Sequence, residues 1–525
     1  MFYTIAIAIT GAIVLGVEVL SSRILTPYFG VSLYIWASIL SITLLGLAAG
    51  YFLGGVVARR STPDRLRVTF LLYLSIASMA LALSAALYPR IFPALMNLHL
   101  VLGSLLAAII LMAAPLLLFS ALNSFVIVLT KTGENENGDA GAGRVFFVST
   151  LGSVAGVVLT AFLVIPLFSN TKGLLLFSLA TALVACAGSW ICLSGFRAHL
   201  KSWIFAAVAV ALSAGLLVQE YVFPVDQFAG PDGRQWTILD ERHSIFGSIK
   251  VAEVGMGPAR YRFYINDGII QDAVQVGDGR SIALFPHMLS ALLSQYAPDS
   301  KNILFLGLAA GLVPMDFPPP RYHAEIVEIN PDSLDIAKRY FGFREDGRVT
   351  HVQDARTFVR DCKGRFDAIV FDMFHGDGVP DYLLSKEFFR SLQQCGTENA
   401  VIVMNAFEDR EHPEVRNAIL ATVHAAFANM AYFSDPSDKE PVRNVFLVAS
   451  NQELRATPFH YTAPSYLARQ LESTLAGRET FTRQSPDLGA PLSDAHNIYS
   501  VLSNEMSMRV RKSIQTNMAI GLFKS

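Results

Sequence analysis

The sequence predicts an α-helical transmembrane bundle of about seven spans, then an α/β domain with a parallel sheet that opens on a small β-hairpin subdomain. Three observations carry this. Seven apolar runs of near-bilayer length fill the first 222 residues. From Ile303 to Met404, short apolar runs alternate with helical stretches, as in a parallel sheet with crossover helices. Three of those runs end in an acid: Glu328, Asp354 and Asp372. The expected units are 1–222 for the helices, 223–280 for linker and hairpin, and 281–525 for the α/β domain.

The chain has 525 residues, of which 52% are hydrophobic and 16% charged. That is too apolar for an ordinary soluble enzyme. A net charge of −2 gives no bias toward nucleic acid. The four cysteines show no metal-ligand spacing and no disulfide framework, so they read as buried or incidental thiols, and no metal is expected.

The spans fall at roughly 3–20, 32–57, 68–88, 98–121, 145–168, 173–196 and 203–222. The first lacks the basic start and cleavage site of a signal peptide. Gly46, Gly50 and Gly54 share one helical face, as do Gly152 and Gly156, and both sets read as close helix packing. Glu18 is a carboxylate inside a span, which marks a functional candidate, and Arg23 is its expected partner. One set of loops and span ends carries Arg59, Arg60, Arg65, Arg67, Lys131, Arg144, Arg197 and Lys201. The other carries Arg23, Arg90 and Lys172. Eight against three puts the domain after Val222 outside the cytoplasm.

In the second half, Asn266-Asp-Gly268 between apolar runs signals a hairpin turn. A helix is expected from Ser281 to Tyr296 and another from Pro331 to Tyr340, with further helices near 385–395 and 412–429. Strands are expected near 400–404 and 444–449, and the last stretch reads as mixed and helical. Gly307 and Gly311 let the chain turn and let a ligand approach the backbone. Ligands of such sheets lie beyond the carboxyl ends of the strands, where an acid on the second strand holds a ribose. Glu328 has that position. Asp354, followed by Ala355, suits an adenine amino group. Asp372 ends the fourth strand where a reacting group would lie, and could take a proton from an amine or attract a cation, with His375 and Asp377 close by for the same work.

These residues resemble the spermidine synthase (polyamine aminopropyltransferase) family. Tyr264-Ile-Asn-Asp-Gly-Ile-Ile-Gln271 is similar to its Leu-Asp-Gly-x-x-Gln hairpin, Glu325-Ile-Val-Glu-Ile-Asn330 to its Val-Glu-Ile-Asp strand, and Gln353-Asp-Ala355 to its Gly-Asp-Ala adenine site. Asp372 falls on its catalytic aspartate, and Leu384-Ser-Lys-Glu-Phe-Phe389 is similar to its Phe-Thr-x-Glu-Phe-Tyr helix. Glu18, Arg23, Pro27-Tyr-Phe-Gly30 and the glycines from Gly46 to Gly55 resemble the multi-span region fused to such domains in bacteria. The resemblance implies a Rossmann-like, methyltransferase-type fold. It implies a substrate of the S-adenosylmethionine type, intact or decarboxylated, held by Gly307, Gly311, Glu328, Asp354, Ala355 and Gln271. It also implies a polyamine acceptor, release of methylthioadenosine, and an integral membrane protein.

Two departures qualify this. The family's Gly-Gly-Gly-Asp-Gly loop reads Gly307-Leu-Ala-Ala-Gly311, with Ala310 in place of the acid. Its Asp-Glu-x-x-Tyr-x-Glu segment is replaced by Gly277-Asp-Gly-Arg280 and Leu284-Phe-Pro-His-Met288. The first reading is therefore an aminopropyltransferase-like enzyme. The second is a lyase in which the substrate's own carboxylate displaces methylthioadenosine as a lactone is formed; methyl transfer in the same fold is a third. Polyamine transport by the helical half is the non-enzymatic alternative, against an anchor and homodimer platform in the bilayer. A nucleoside substrate is made inside the cell, so the catalytic domain is expected in the cytoplasm despite the loop charges.

Overall fold

The computed structural model describes residues 1–130, 138–193, 199–374, 378–458, 461, 463–482, 488–518 and 520–524. The chain forms two compact units. One comprises Met1–Phe228, His243–Gly247 and Ala519–Ser525; the other comprises Ala229–Arg242 and Ser248–Met518.

Among the described residues, the first unit has seven helices long and apolar enough to cross a membrane: α1 (Phe2–Phe29), α2 (Leu33–Arg59), α3 (Pro63–Leu95), α4 (Leu100–Thr130), α5 (Gly141–Leu167), α6 (Asn170–Cys192) and α7 (Leu200–Val222). Large apolar side chains face outward, among them Leu44, Phe147 and Trp190, exposed by 66%, 67% and 77%. A water-soluble bundle would bury them. The glycine faces are packing faces. A Cβ on Gly50 would lie 2.3 Å from the Leu117 carbonyl oxygen, and one on Gly152 would lie 2.1 Å from that of Ala8. α2 thus lies backbone to backbone on α4, and α5 on α1. α4 and α5 each widen into a π-helical stretch, Ile109–Ala113 and Thr160–Val164. Pro115 and Pro166 follow two residues later, and a wider turn relieves the clash of a proline ring with the preceding turn.

A five-stranded sheet follows in chain order: β1 (Gln227–Ala229), β2 (Gln235–Ser244), β3 (Gly247–Met256), β4 (Ala259–Asn266) and β5 (Ile269–Gln275). The expected hairpin is its β4–β5 corner. Asp267 and Gly268 both take positive φ, 46° and 80°, as a two-residue primed turn requires.

An eight-stranded sheet follows, built from β6 (Asn302–Leu306), β7 (His323–Glu328), β8 (Val349–Val352), β9 (Phe366–Phe371), β10 (Gly396–Asp409), β11 (Asn429–Phe433), β12 (Val442–Ser450) and β13 (Arg478–Thr482). Its order is β13-β11-β12-β10-β9-β6-β7-β8. β6 to β10 run parallel, β12 is antiparallel to β10, and β11 is antiparallel to both its neighbours. This is a doubly wound, methyltransferase-type sheet. Alternation sorts its side chains into two cores. Leu304, Leu306, Ile369 and Phe371 pack with Phe388 and Ile419, whereas Ile303, Phe305, Ala368 and Val370 pack with Leu289 and Ala337. Helices therefore cover both faces: α8 (Leu284–Tyr296), α9 (Pro331–Tyr340), α10 (Ala355–Asp361), α11 (Lys386–Cys395), α12 (Pro413–His424), α13 (Ser465–Ala476) and, beyond them, α14 (Asn504–Asn517).

Some expectations change. β11 begins where the helix near 412–429 was expected to end, and β13 lies in a tail read as mixed and helical. Cys362 and Cys395, expected as isolated thiols, form a disulfide between the ends of α10 and α11.

Candidate active site

β8, β7, β6 and β9 are neighbours in that order, so their carboxyl ends share one edge of the sheet. The chain runs from β6 outward to β7 and β8 on one side and later to β9 and β10 on the other. Ligands of doubly wound sheets sit at such a switch point.

Gly307 closes β6. Its N–H donates to the Val327 carbonyl oxygen at 2.9 Å and its φ is +95°. A Cβ there would stand 2.2 Å from the Asp372 carbonyl oxygen. Gly311 has φ +77°, and a Cβ there would press into the Phe343 ring at 2.7 Å. Only glycine fits either position.

Glu328 ends β7 and reaches into this turn. Its Oε2 accepts the Leu308 N–H at 3.1 Å and its Oε1 accepts the Asn330 N–H at 2.8 Å. Burial pushes the carboxyl above its ordinary range, while the backbone donors oppose that. The backbone N–H groups of Ala309 and Ile329 act on this carboxyl as well. Asp354 follows β8 and caps α10: its Oδ1 accepts from the Thr357 N–H at 2.8 Å and the Thr357 hydroxyl at 3.0 Å. Its Oδ2 accepts the Tyr382 hydroxyl at 2.9 Å. Ala355 is buried behind it.

Asp372 follows β9. Its Oδ1 accepts the Asn405 side-chain amide at 3.0 Å, and Asn405 Oδ1 accepts that of Asn444 at 3.0 Å. Burial pushes Asp372 up to about 6, with the Asn405 bond opposing. Gln271 on β5 is half-buried, and its neighbour Asp272 is buried. Asp272 Oδ1 accepts the Ala273 N–H at 2.9 Å and the Ser281 hydroxyl at 3.3 Å. Burial pushes Asp272 up to about 8, and the charge of Asp372 adds to that. Both carboxyls are thus held above the ordinary carboxylate range by burial, and Asp272 feels the charge of Asp372.

The structure thus brings Gly307, Glu328 and Asp372 to one turn, and Asp354 to the end of the strand beside β7. His375 and Asp377 lie outside the described residues. Sequence reasoning missed Asp272 and Asn405. Both had a signal: Asp272 directly follows the singled-out Gln271, and Asn405 follows the apolar run of β10, the strand next to β9. Ala310 is fully buried with Val251, Tyr264, Ile336 and Phe341, so an apolar cluster fills the surroundings of the absent acid. The expected Glu18–Arg23 pair is not seen: among the described residues no ion pair joins them, and Arg23 instead donates to the Ile245 carbonyl oxygen.

Residues 301–437 match the family described as "Spermine/spermidine synthase domain", and the C-terminal part of the chain carries that domain. A polyamine aminopropyltransferase of Vibrio vulnificus is 32% identical over 154 residues, covering 28% of this chain and 51% of that enzyme. A spermidine synthase of Schizosaccharomyces pombe is 25% identical over 190 residues, covering 35% of this chain and 63% of that protein. The solved spermidine synthase from Thermotoga maritima is 14% identical, with 47% of this chain and 94% of that chain covered and a TM-score of 0.35. The chain spans about half the length of the Vibrio relative and under two thirds of the fission-yeast one. The relatives are named as enzymes.

Proposed function

We propose that the C-terminal unit is an aminopropyltransferase-like enzyme acting on a sulfonium nucleoside of the S-adenosylmethionine type and an amine, with residues 1–222 as its membrane domain, 223–280 as linker and β-subdomain, and 281–525 as catalytic domain. The observation that carries this is buried Asp372 at the glycine turn of β6, held by Asn405 and near enough to Asp272 to influence it. Glu328 would hold the ribose hydroxyls. Asp354 and Ala355 would border the adenine, Gln271 would contact the nucleoside, and Gly307 and Gly311 would admit it to the backbone. The amine lone pair attacks the carbon next to the sulfonium. The carbon–sulfur bond breaks with its electron pair going to sulfur, and methylthioadenosine leaves. Asp372 takes the amine proton; Asp272 would hydrogen-bond the amine. His375 and Asp377, close to Asp372 in the sequence, would assist the same proton transfer. Holding both reactants in one crevice supplies much of the acceleration.

The test incubates purified full-length protein with decarboxylated or intact S-adenosylmethionine, with and without putrescine. Methylthioadenosine formed only with the decarboxylated substrate plus the diamine is the expected result. Release from the intact substrate without amine would make the enzyme a lyase, and S-adenosylhomocysteine would make it a methyltransferase.

The helical unit reads as membrane-integral, serving as an anchor and a platform for a second copy. Two features support a C-terminal unit facing away from the cytoplasm. The basic residues gather on the side opposite to where α7 ends. The Cys362–Cys395 disulfide suits an oxidising compartment. This reverses the expectation drawn from where the nucleoside is made, and requires that substrate to be delivered across the membrane. An Asp299→Cys variant should react with a membrane-impermeant maleimide from outside intact cells; protection there, with labelling only after lysis, restores the cytoplasmic assignment.

A further inference from the structure

The helical unit contains a cavity of about 210 Å³ between α1, α2, α4 and α5. Its floor is buried: Thr10 on α1, and Phe119, Ser120 and Asn123 on α4. Its mouth is at Tyr51 on α2 and at Phe146 and Thr150 on α5, where Phe146 is 41% exposed and Thr150 is exposed. These mouth residues sit among outward-facing Leu45, Phe52 and Phe147, exposed by 65%, 68% and 67%. In a bilayer, the opening therefore faces lipid.

Four features define the occupant. Among the described residues no charged side chain lines the cavity, so a charged head group would lack compensation from them. Asn123 is 5% exposed; its amide nitrogen reaches the Ser149 hydroxyl at 3.5 Å, and its Oδ1 is buried without a partner. The Ser120 and Ser153 hydroxyls donate to backbone carbonyls and so face the cavity as acceptors. The volume equals that of roughly seven liquid waters, room for a small ring or a glycerol but not for a large head group.

We propose that this cavity binds the uncharged, hydroxyl-bearing head of a bilayer-dissolved amphiphile, with Asn123 Oδ1 accepting its hydroxyl and its tail leaving between α2 and α5. The site is separate from the carboxyl pair and rests on the membrane reading of the helical unit, not on the transferase reading.

The test reconstitutes full-length protein in phosphatidylcholine nanodiscs. Incorporation is scored first, and failure to incorporate overturns the membrane reading and this proposal with it. Decyl-ubiquinol and dioctanoylglycerol are then titrated separately, and bound adducts are counted by native mass spectrometry. Saturable binding of one probe per chain is expected, and which probe binds tells a quinol from a glycerolipid. Asn123→Leu should weaken binding by roughly tenfold through loss of one buried hydrogen bond. Thr150→Phe, a surface change that blocks the mouth, should do the same without touching the floor. Absence of saturable binding by both probes, or binding unaffected by both substitutions, overturns the proposal and leaves a water-filled void.

Discussion

The two sides of the sheet's carboxyl edge are built differently. On the β7–β8 side, each acid is tied to the backbone next to it. Glu328 holds the amides of Leu308 and Asn330, and Asp354 caps the helix that follows it. On the β9 side, Asp372 is met by a side-chain amide from β10, and its companion Asp272 arrives from a different sheet. One side is architecture whose acids also border the proposed nucleoside position. The other is a desolvated carboxyl pair set to titrate. The lesson is that substitutions on the first side should cost stability and substitutions on the second should cost turnover.

The sharpest test is Asp372→Asn. It keeps the shape and the Asn405 contact but removes the proton acceptor, so kcat should fall by about 10²–10⁴-fold. The unfolding midpoint should hold or rise, because a carboxyl whose burial disfavours its charge has been neutralised. Turnover retained with lowered stability would show that the two sides do not divide the work in this way.

Ala310→Asp probes the boundary between them. It restores the acid of the resembled loop at a position surrounded by Tyr264, Ile336 and Phe341. A carboxylate there lacks partners, and the expected cost is on the order of 3 kcal/mol of stability. Calorimetry of the C-terminal transition reads this directly. A stable variant with tighter binding of decarboxylated substrate would mean the cluster opens to the crevice.

A smaller effect concerns pH. Asp372 must be ionised to accept a proton, and it sits near 6. The kcat/KM profile should therefore fall as pH drops through about 6. The Asn405 bond favours the charged form, so Asn405→Leu should move this limb upward. An unmoved limb would assign it to another group, Asp272 first.

Much of the backbone-tied side was legible in the sequence, because its signals are local. A short apolar run followed by glycine, or by an acid, fixes strand, turn and edge within a few residues. The bounds of α9 follow from Pro331 in the same way. What was not legible depends on distant pairing. Asp272 and Asp372 are a hundred residues apart in the chain and belong to two different sheets, yet Asp272 feels the charge of Asp372. The Cys362–Cys395 bond likewise joins the ends of two helices whose packing no spacing reveals. The apolar surroundings of Ala310 come from β3, β4 and α9 together, so the missing acid could be noticed but its environment could not.

Asp354→Ala is the smallest test and addresses the side where one residue has two jobs. An Asp directly before a helix is first of all an N-cap, and losing it costs about 1 kcal/mol. The Tyr382 hydroxyl would lose its acceptor as well. Asp354→Ser should keep most of the cap, since a hydroxyl can still accept the Thr357 N–H. A serine presents less negative charge to an adenine amino group, so the two variants separate the roles. If both lose nucleoside affinity but only alanine loses stability, Asp354 serves the ligand as well as the helix. If serine restores both, the residue is a cap alone, and the adenine edge must be recognised by groups farther along the β8 side.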